Sequence, residues 1–559
     1  MASSKLVLDY VYDHEASHAD RIFLTQPLGS GKVADYTWRQ TLDEARRMAT
    51  HLQGMGLGQG SHIAVLSKNC AHFIIAELAI WMAGGTTVAI FPTEGADTIR
   101  FVLEHSDAKL LFVGKLDHWN KQRSGVPAGM PCIALPLAPP TEFERWDAIV
   151  ARAPPVEGRP ARAPGDLAIL IYTSGSTGQP KGVMHTFGRI TRAVEGIIHT
   201  ILKPFDPKEE IRLISYLPLA HVYERAGVEC LSLIRGGTHV YFIESLETFV
   251  ADLRRARPTV FYSVPRLWLK FQHGVFAKMP PAKLNFLLGI PFVRKMVGHK
   301  VLAGLGLDQV RLAGSASAPI PAELIAWYRR LGLNLLEGYG MSEDFGYSHA
   351  SSEQFNAPGY VGVPYEGVEI RLSDVGEILI KSPGQCVGYY KRPDLDAECF
   401  TADGFFRTGD KGERRSDGLL KVTGRIKEIF KTAKGEYVAP APIENMLNEH
   451  PMVELSLVSG VGQASAYGMV VLAEDLRGKV DDPGVKAQVE AELAQLLKQV
   501  NQAVLPCERL QMLVVAREPW SIENGCLTPT MKIKRSRIEA VAEKALGAWY
   551  AASVPVTWA

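Results

Sequence analysis

Nine consecutive residues, Thr173, Ser174, Gly175, Ser176, Thr177, Gly178, Gln179, Pro180 and Lys181, crowd hydroxyls and glycines ahead of one cation. Glycines let backbone N–H groups converge on an anion without Cβ clashes. Hydroxyls add donors, and the lysine brings a mobile point charge for phosphate oxygens. A flexible linker has the same composition. The order excludes a Walker A loop, because Lys181 lies between Pro180 and Gly182 and no Ser or Thr follows it. That disfavours an ordinary kinase or GTPase. In the stretch YGMSE, Tyr339 offers a face for a purine, Ser342 a donor for a phosphate oxygen, and Glu343 a carboxylate for Mg²⁺. A strand end followed by a turn would read the same. Further on, RTGD ends at Asp410, whose carboxylate can accept two hydrogen bonds from a ribose diol. Arg425 can donate to the same sugar or to a phosphate. As bare residues, this Asp and Arg also fit a surface turn pair.

Such groups need rigid elements behind them. Short apolar runs recur between helical segments: HIAVLSK (62–68), KLLFVG (109–114), LAILIYTS (167–174), IRLISYLP (211–218), THVYFIE (238–244), TVFYSVP (259–265) and QVRLAGS (309–315). Runs apolar on both faces suit strands covered by helices on both sides, so an α/β fold is expected. The Pro/Gly/Arg-rich stretch 153–166 reads as a surface link between two substructures. After about residue 360, VEIRLSD (368–374), GEILIKS (376–382) and LLKVTGR (419–425) predict an antiparallel β unit. The last ~130 residues predict a small α+β domain. In it Val485, Val489, Leu493, Leu496, Val500 and Val504 fall at helical spacing.

The chain has 559 residues, a formal net charge of +1 and seven scattered cysteines with no CxxC pair. No broad basic field is available for nucleic acid. Reduced thiols in a cytoplasm-like compartment are expected, and the start MASSKLVLDY has no apolar signal core. The longest apolar stretch, residues 73–92, is broken by Glu77 and Gly84-Gly85, which predicts a buried helix and a strand rather than a membrane span. The stretch KLNFLLGIPFVRKM (283–296) reads as a packed helix, the lining of an acyl tunnel, or a contact with a membrane surface.

With its preceding Tyr, the string TSGSTGQPKG resembles the phosphate-binding signature of the adenylate-forming superfamily, which includes acyl-CoA synthetases, luciferases and adenylation domains of peptide synthetases. YGMSE is similar to that family's adenine and magnesium motif, with Ser342 where Thr is usual. The resemblance implies that Gly340 belongs to this motif, that Glu337 and Gly338 flank adenine, and that GSASAP, from Gly314, walls the nucleotide from the acyl group. It also implies that Glu343 and Thr177 hold Mg²⁺, that Asp410 and Arg425 bind ribose, and that Lys427 is a hinge. YLPLAHVYER puts His221 near the acyl carboxylate and phosphates, although a lone histidine is more often structural. NGCLTPTMKIKR matches the block of the catalytic lysine, Lys532, with Lys534 and Arg535 expected to be solvated and Trp268 of VPRLW expected to pack rather than gate.

Six motifs stand in the family's order from about residue 10 to 545. The fold implied has a large N-terminal domain (1–426) of two α/β sheets plus a β unit, followed by a small mobile α+β domain (427–559). The activity implied is a medium- to long-chain fatty acyl-CoA synthetase using ATP, Mg²⁺ and coenzyme A, through an acyl-AMP. Alternatives are transfer to a carrier protein or another acceptor, and a non-catalytic nucleotide- or acyl-binding homologue. Small-molecule partners, no nucleic acid, and a cytoplasmic location, at most peripheral to the inner face of the membrane, complete the expectation.

Overall fold

The computed structural model describes residues 5–174, 179–528 and 531–559. Each apolar run named above contains a strand. A seven-stranded sheet runs in the order Glu144–Arg145, Cys132–Ala134, Leu110–Val113, His62–Leu66, Thr86–Ile90, Leu167–Ser174 and Pro180–Thr186, parallel except for its final hairpin. A second layer joins two pieces. The first holds Ile211–Ser215, Thr238–Phe242, Ile22–Gly29 and Lys32–Thr37. The second holds Val260–Ser263, Leu312–Ser315, Leu335–Tyr339, His349–Ala350 and Val363–Pro364. They abut where Thr259 donates its N–H to the Arg212 carbonyl at 3.0 Å.

The helix Ala71–Ala83 is buried at every residue, which its nearly uniform apolar sequence permits. Its one charged residue, Glu77, meets Arg225 at 2.7 Å, and Arg225 also meets Glu229 at 3.0 Å. Burial pushes Glu229 well above the usual carboxylate range, so two acids share one guanidinium. Arg225→Met would strand a buried carboxylate. It is expected to lower unfolding free energy by about 3–5 kcal/mol. Urea unfolding followed by tryptophan fluorescence checks this, and an unchanged midpoint would contradict it.

Residues 153–166 do not join two substructures, because strands before and after them lie in the same seven-stranded sheet. The segment instead packs over the N-terminal helix, where Tyr12 donates its hydroxyl to the Pro160 carbonyl at 2.9 Å.

The antiparallel unit is Glu369–Leu372, Glu377–Lys381, Phe406–Arg414 and Leu420–Arg425. Beyond it, Val453–Ser459, Ala466–Leu472, Leu510–Val515 and Val556–Trp558 form a mixed sheet covered by the helices Pro440–Asn448, Pro483–Ala503 and Arg535–Ala552. The apolar clusters segregate. Among the described residues none contains side chains from both sides of residue 427. Trp268 is fully buried and packs against Phe261, Phe271 and Tyr328. No helix of the described residues is long and apolar enough to cross a membrane.

Candidate active site

The hairpin Leu167–Ser174/Pro180–Thr186 sets the first group. Its register pairs Thr173 with Lys181, so the lysine emerges at the open end of the sheet. Lys181 Nζ donates to Glu343 Oε1 at 2.9 Å and to the Tyr389 hydroxyl at 2.7 Å, and Tyr389 donates to the same Glu343 oxygen at 2.7 Å. Burial tends to raise the Glu343 pKa, but the Lys181 ammonium and the two hydrogen bonds outweigh it and hold it below the usual value. Gly175, Ser176, Thr177 and Gly178 lie outside the described residues, as does the Ser174 side chain. The Thr173 hydroxyl is buried without a hydrogen-bond partner among the described residues.

Glu343 sits in a tight 3₁₀ turn, Ser342–Asp344, after the strand Leu335–Tyr339. Asp344 Oδ1 accepts from the Met341 and Gly346 amides, both at 2.9 Å, and this closes the loop. A Cβ on Gly340 would stand 2.7 Å from the Gly346 backbone, so only glycine fits there. Burial raises Asp344 to about 7. The Ser342 carbonyl receives His185 Nε2 at 2.6 Å.

Tyr339 donates its hydroxyl to Asp410 Oδ2 at 2.6 Å, and Arg425 Nε donates to Asp410 Oδ1 at 2.8 Å. Asp410 and Arg425 face each other across the strands Phe406–Arg414 and Leu420–Arg425. The tyrosine ring is thus fixed by its hydroxyl, and each carboxylate oxygen keeps a lone pair for another donor. Upstream, buried Glu337 accepts from the Gly359 amide at 3.0 Å and is pushed by burial to about 8. Gly338 pairs with Ala350 on the next strand. On the neighbouring strand a Cβ at Gly314 would come 2.8 Å from the Tyr262 ring, which lies against that backbone.

His221 caps a short helical turn, its Nδ1 accepting the Tyr223 amide at 3.2 Å. That leaves Nε2 as the N–H donor of the neutral ring. Burial, with Lys532 adding repulsion, pushes its pKa down to about 3. Lys532 lies inside the turn closed by the bridge Leu527↔Ile533, and its backbone is clamped by Thr528, which donates N–H to the Lys532 carbonyl at 2.7 Å. Its side chain is exposed to solvent. Desolvation and then Arg425 lower its pKa, opposed by Asp410 and Glu428. No hydrogen bond or ion pair holds its ammonium among the described residues. Lys532 therefore shares one electrostatic neighbourhood with His221, Asp410 and Arg425, although it lies more than a hundred residues beyond them.

Arg535 is not solvated. It donates to the Val458 carbonyl at 2.8 Å and pairs with Glu444 at 2.8 Å, because it opens the helix Arg535–Ala552 against the mixed sheet. Lys534 is exposed and acts electrostatically on Glu94. Lys427 is exposed, 3.5 Å from Glu398, in the turn that leaves the strand Leu420–Arg425. Arg266 pairs with Glu454, which also receives Arg477. Two participants escape sequence reasoning. Asp344 adjoins a motif already chosen, whereas Tyr389 carries no local signal at all.

The AMP-binding enzyme profile matches residues 12–390, and the AMP-binding enzyme C-terminal domain profile matches residues 427–553. A long-chain-fatty-acid–CoA ligase, FadD15, of Mycobacterium bovis is 30% identical over 96% of this chain and 94% of its own. Long-chain-fatty-acid–CoA ligase 1 of Homo sapiens is 30% identical, covering 89% of this chain and 79% of that one. Among solved structures, the A domain of carboxylic acid reductase from Segniliparus rugosus, in complex with AMP and a co-purified carboxylic acid, superposes with a TM-score of 0.80 at 22% identity. It covers 98% of this chain and 94% of that one. The anthranilate CoA ligase AuaEII superposes with a TM-score of 0.78 at 19% identity, covering 97% and 98%.

Proposed function

This chain belongs to the AMP-binding enzyme family, and from that membership we propose that it is an ATP-dependent fatty acyl-CoA synthetase acting on medium- to long-chain acids. The observation that carries the reading is the paired geometry of Lys181 and Tyr389 on Glu343 and of Tyr339 and Arg425 on Asp410, with Lys532 near enough to act electrostatically on His221. In the first half-reaction a carboxylate oxygen attacks the α-phosphorus of ATP, the P–O bond to pyrophosphate breaks, and an acyl-AMP forms. Both reactants are anions, so the site must offset their repulsion. Lys181 and Lys532 would do so at the phosphates, while neutral His221 would donate from Nε2 to the carboxylate or phosphate. Tyr339 would stack on adenine between Glu337, Gly338 and the Gly314 wall, and Asp410 and Arg425 would take the ribose.

Mg²⁺ requires few protein ligands when substrate phosphates supply the rest. Glu343, ionised and buried, fits that donor set, although no cluster of three acidic, histidine or cysteine ligands exists among the described residues. When bound, the ion would neutralise phosphate charge and polarise the reacting oxygens. Release of Glu343 from Lys181 would then free the ammonium for ATP.

In the second half-reaction the coenzyme A sulfur attacks the acyl carbonyl, the bond to AMP breaks, and the thiol proton leaves. We place the domain division at 426/427, with Lys427 as pivot, because the apolar cores do not cross that point. Carboxylic acids of graded length, assayed with ATP and coenzyme A, test the reading. Thioester, AMP and pyrophosphate should appear in equal amounts, with best turnover for medium or long chains. Carboxylate-independent ATP turnover, or transfer only to a carrier protein, would overturn it.

A further inference from the structure

Residues 281–305 form two helices, Pro281–Gly289 and Pro291–Leu305, meeting at a corner on Ile290. Their inner face is packed. Leu284, Leu288 and Leu302 are buried, and a Cβ on Gly298 would stand 2.3 Å from the Leu331 carbonyl, so the second helix lies directly on its neighbour. The corner itself is not covered. Phe292 is 93% exposed, Phe286 70% and Met296 66%, with Ile290 between them. The tunnel-lining reading of this stretch therefore fails for these side chains, and the packed-helix reading holds only for the inner face. A water-facing pair of phenylalanines at one corner needs an apolar environment that the chain does not provide.

Charge identifies that environment. From residue 265 to 307 the chain has seven Lys or Arg and no Asp or Glu, in a protein of net charge +1. Lys278, Lys283, Arg294, Lys295 and Lys300 are exposed around the corner. Arg294 also anchors it, donating to the Arg330 carbonyl at 2.9 Å. A second copy of this corner would set cations against cations. An anionic bilayer offers opposite charge for the lysines and an acyl boundary for the rings. We propose that this helical corner docks the enzyme on anionic phospholipid membrane, Phe286 and Phe292 entering the interface while the surrounding cations meet the headgroups.

The test is co-sedimentation of the full chain with vesicles of equal phosphatidylglycerol and phosphatidylcholine, against vesicles of phosphatidylcholine alone. Binding should favour the anionic vesicles and weaken several-fold as salt rises toward about 0.5 M. Phe286→Ser with Phe292→Ser should lower the partition coefficient by about tenfold or more, and Lys283→Gln with Lys295→Gln should flatten the salt dependence. Thermal unfolding of each variant should match the parent, since the substituted side chains face solvent. Vesicle binding needs no turnover, so its failure is separable from failure of the ligase reading. Equal binding by the Phe286/Phe292 variant, no preference for anionic vesicles, or a dimer in sedimentation velocity that this variant dissolves would each overturn the proposal.

Discussion

Lys532→Ala is expected to suppress carboxylate-dependent ATP–pyrophosphate exchange by about 10³-fold, roughly 4 kcal/mol of barrier, while largely sparing thioester synthesis from supplied acyl-AMP. The Lys532 ammonium lies in the field of His221, Arg425 and Asp410 with no ion pair of its own among the described residues. A cation without a partner is available for the charge that develops between carboxylate and α-phosphate. Thiol attack on a formed adenylate develops its charge elsewhere, so the second step should survive. Equal loss in both assays would contradict this division. Lys427→Pro, run beside it, should give the reverse pattern by stiffening φ at the proposed pivot. Normal thioester synthesis there would refute the hinge.

Glu343→Gln should lower exchange by about 10²- to 10³-fold and raise the Mg²⁺ concentration needed for half-maximal activity. The glutamine keeps the side chain's size and can still accept from Tyr389, so folding should be spared. It removes the negative charge that Lys181 and Tyr389 hold ionised in a buried position. If Glu343 only restrained Lys181, the variant would need no extra Mg²⁺. An unchanged Mg²⁺ requirement is thus the result that would reassign the residue.

The parallel sheets were legible because their strands are apolar on both faces, as LAILIYTS and HIAVLSK show. The glycine–hydroxyl loop, YGMSE and RTGD were legible as motifs in order. Their meeting was not, since Tyr389 reaches Lys181 from 208 positions away and no local pattern encodes that. The strand Ile22–Gly29 was missed for a similar reason. Gln26 and Pro27 blur its pattern, and its parallel neighbour Thr238–Phe242 lies far off in sequence. The stretch 153–166 misled because a Pro/Gly/Arg composition reports surface exposure, not which sheet lies on either side. Arg535 misled because a cation at a helix start was read without the acidic Glu444 that faces it only in the folded chain.

The segregation of apolar clusters at residue 427 has a thermodynamic corollary for the catalytic cycle. Turning the small unit against the large one would uncover almost no greasy surface, so the swing itself should carry a heat-capacity change near zero. What it must break are charge contacts such as Arg266 with Glu454, which dissolved ions compete for. The balance between the two proposed poses should therefore answer to salt far more than to temperature.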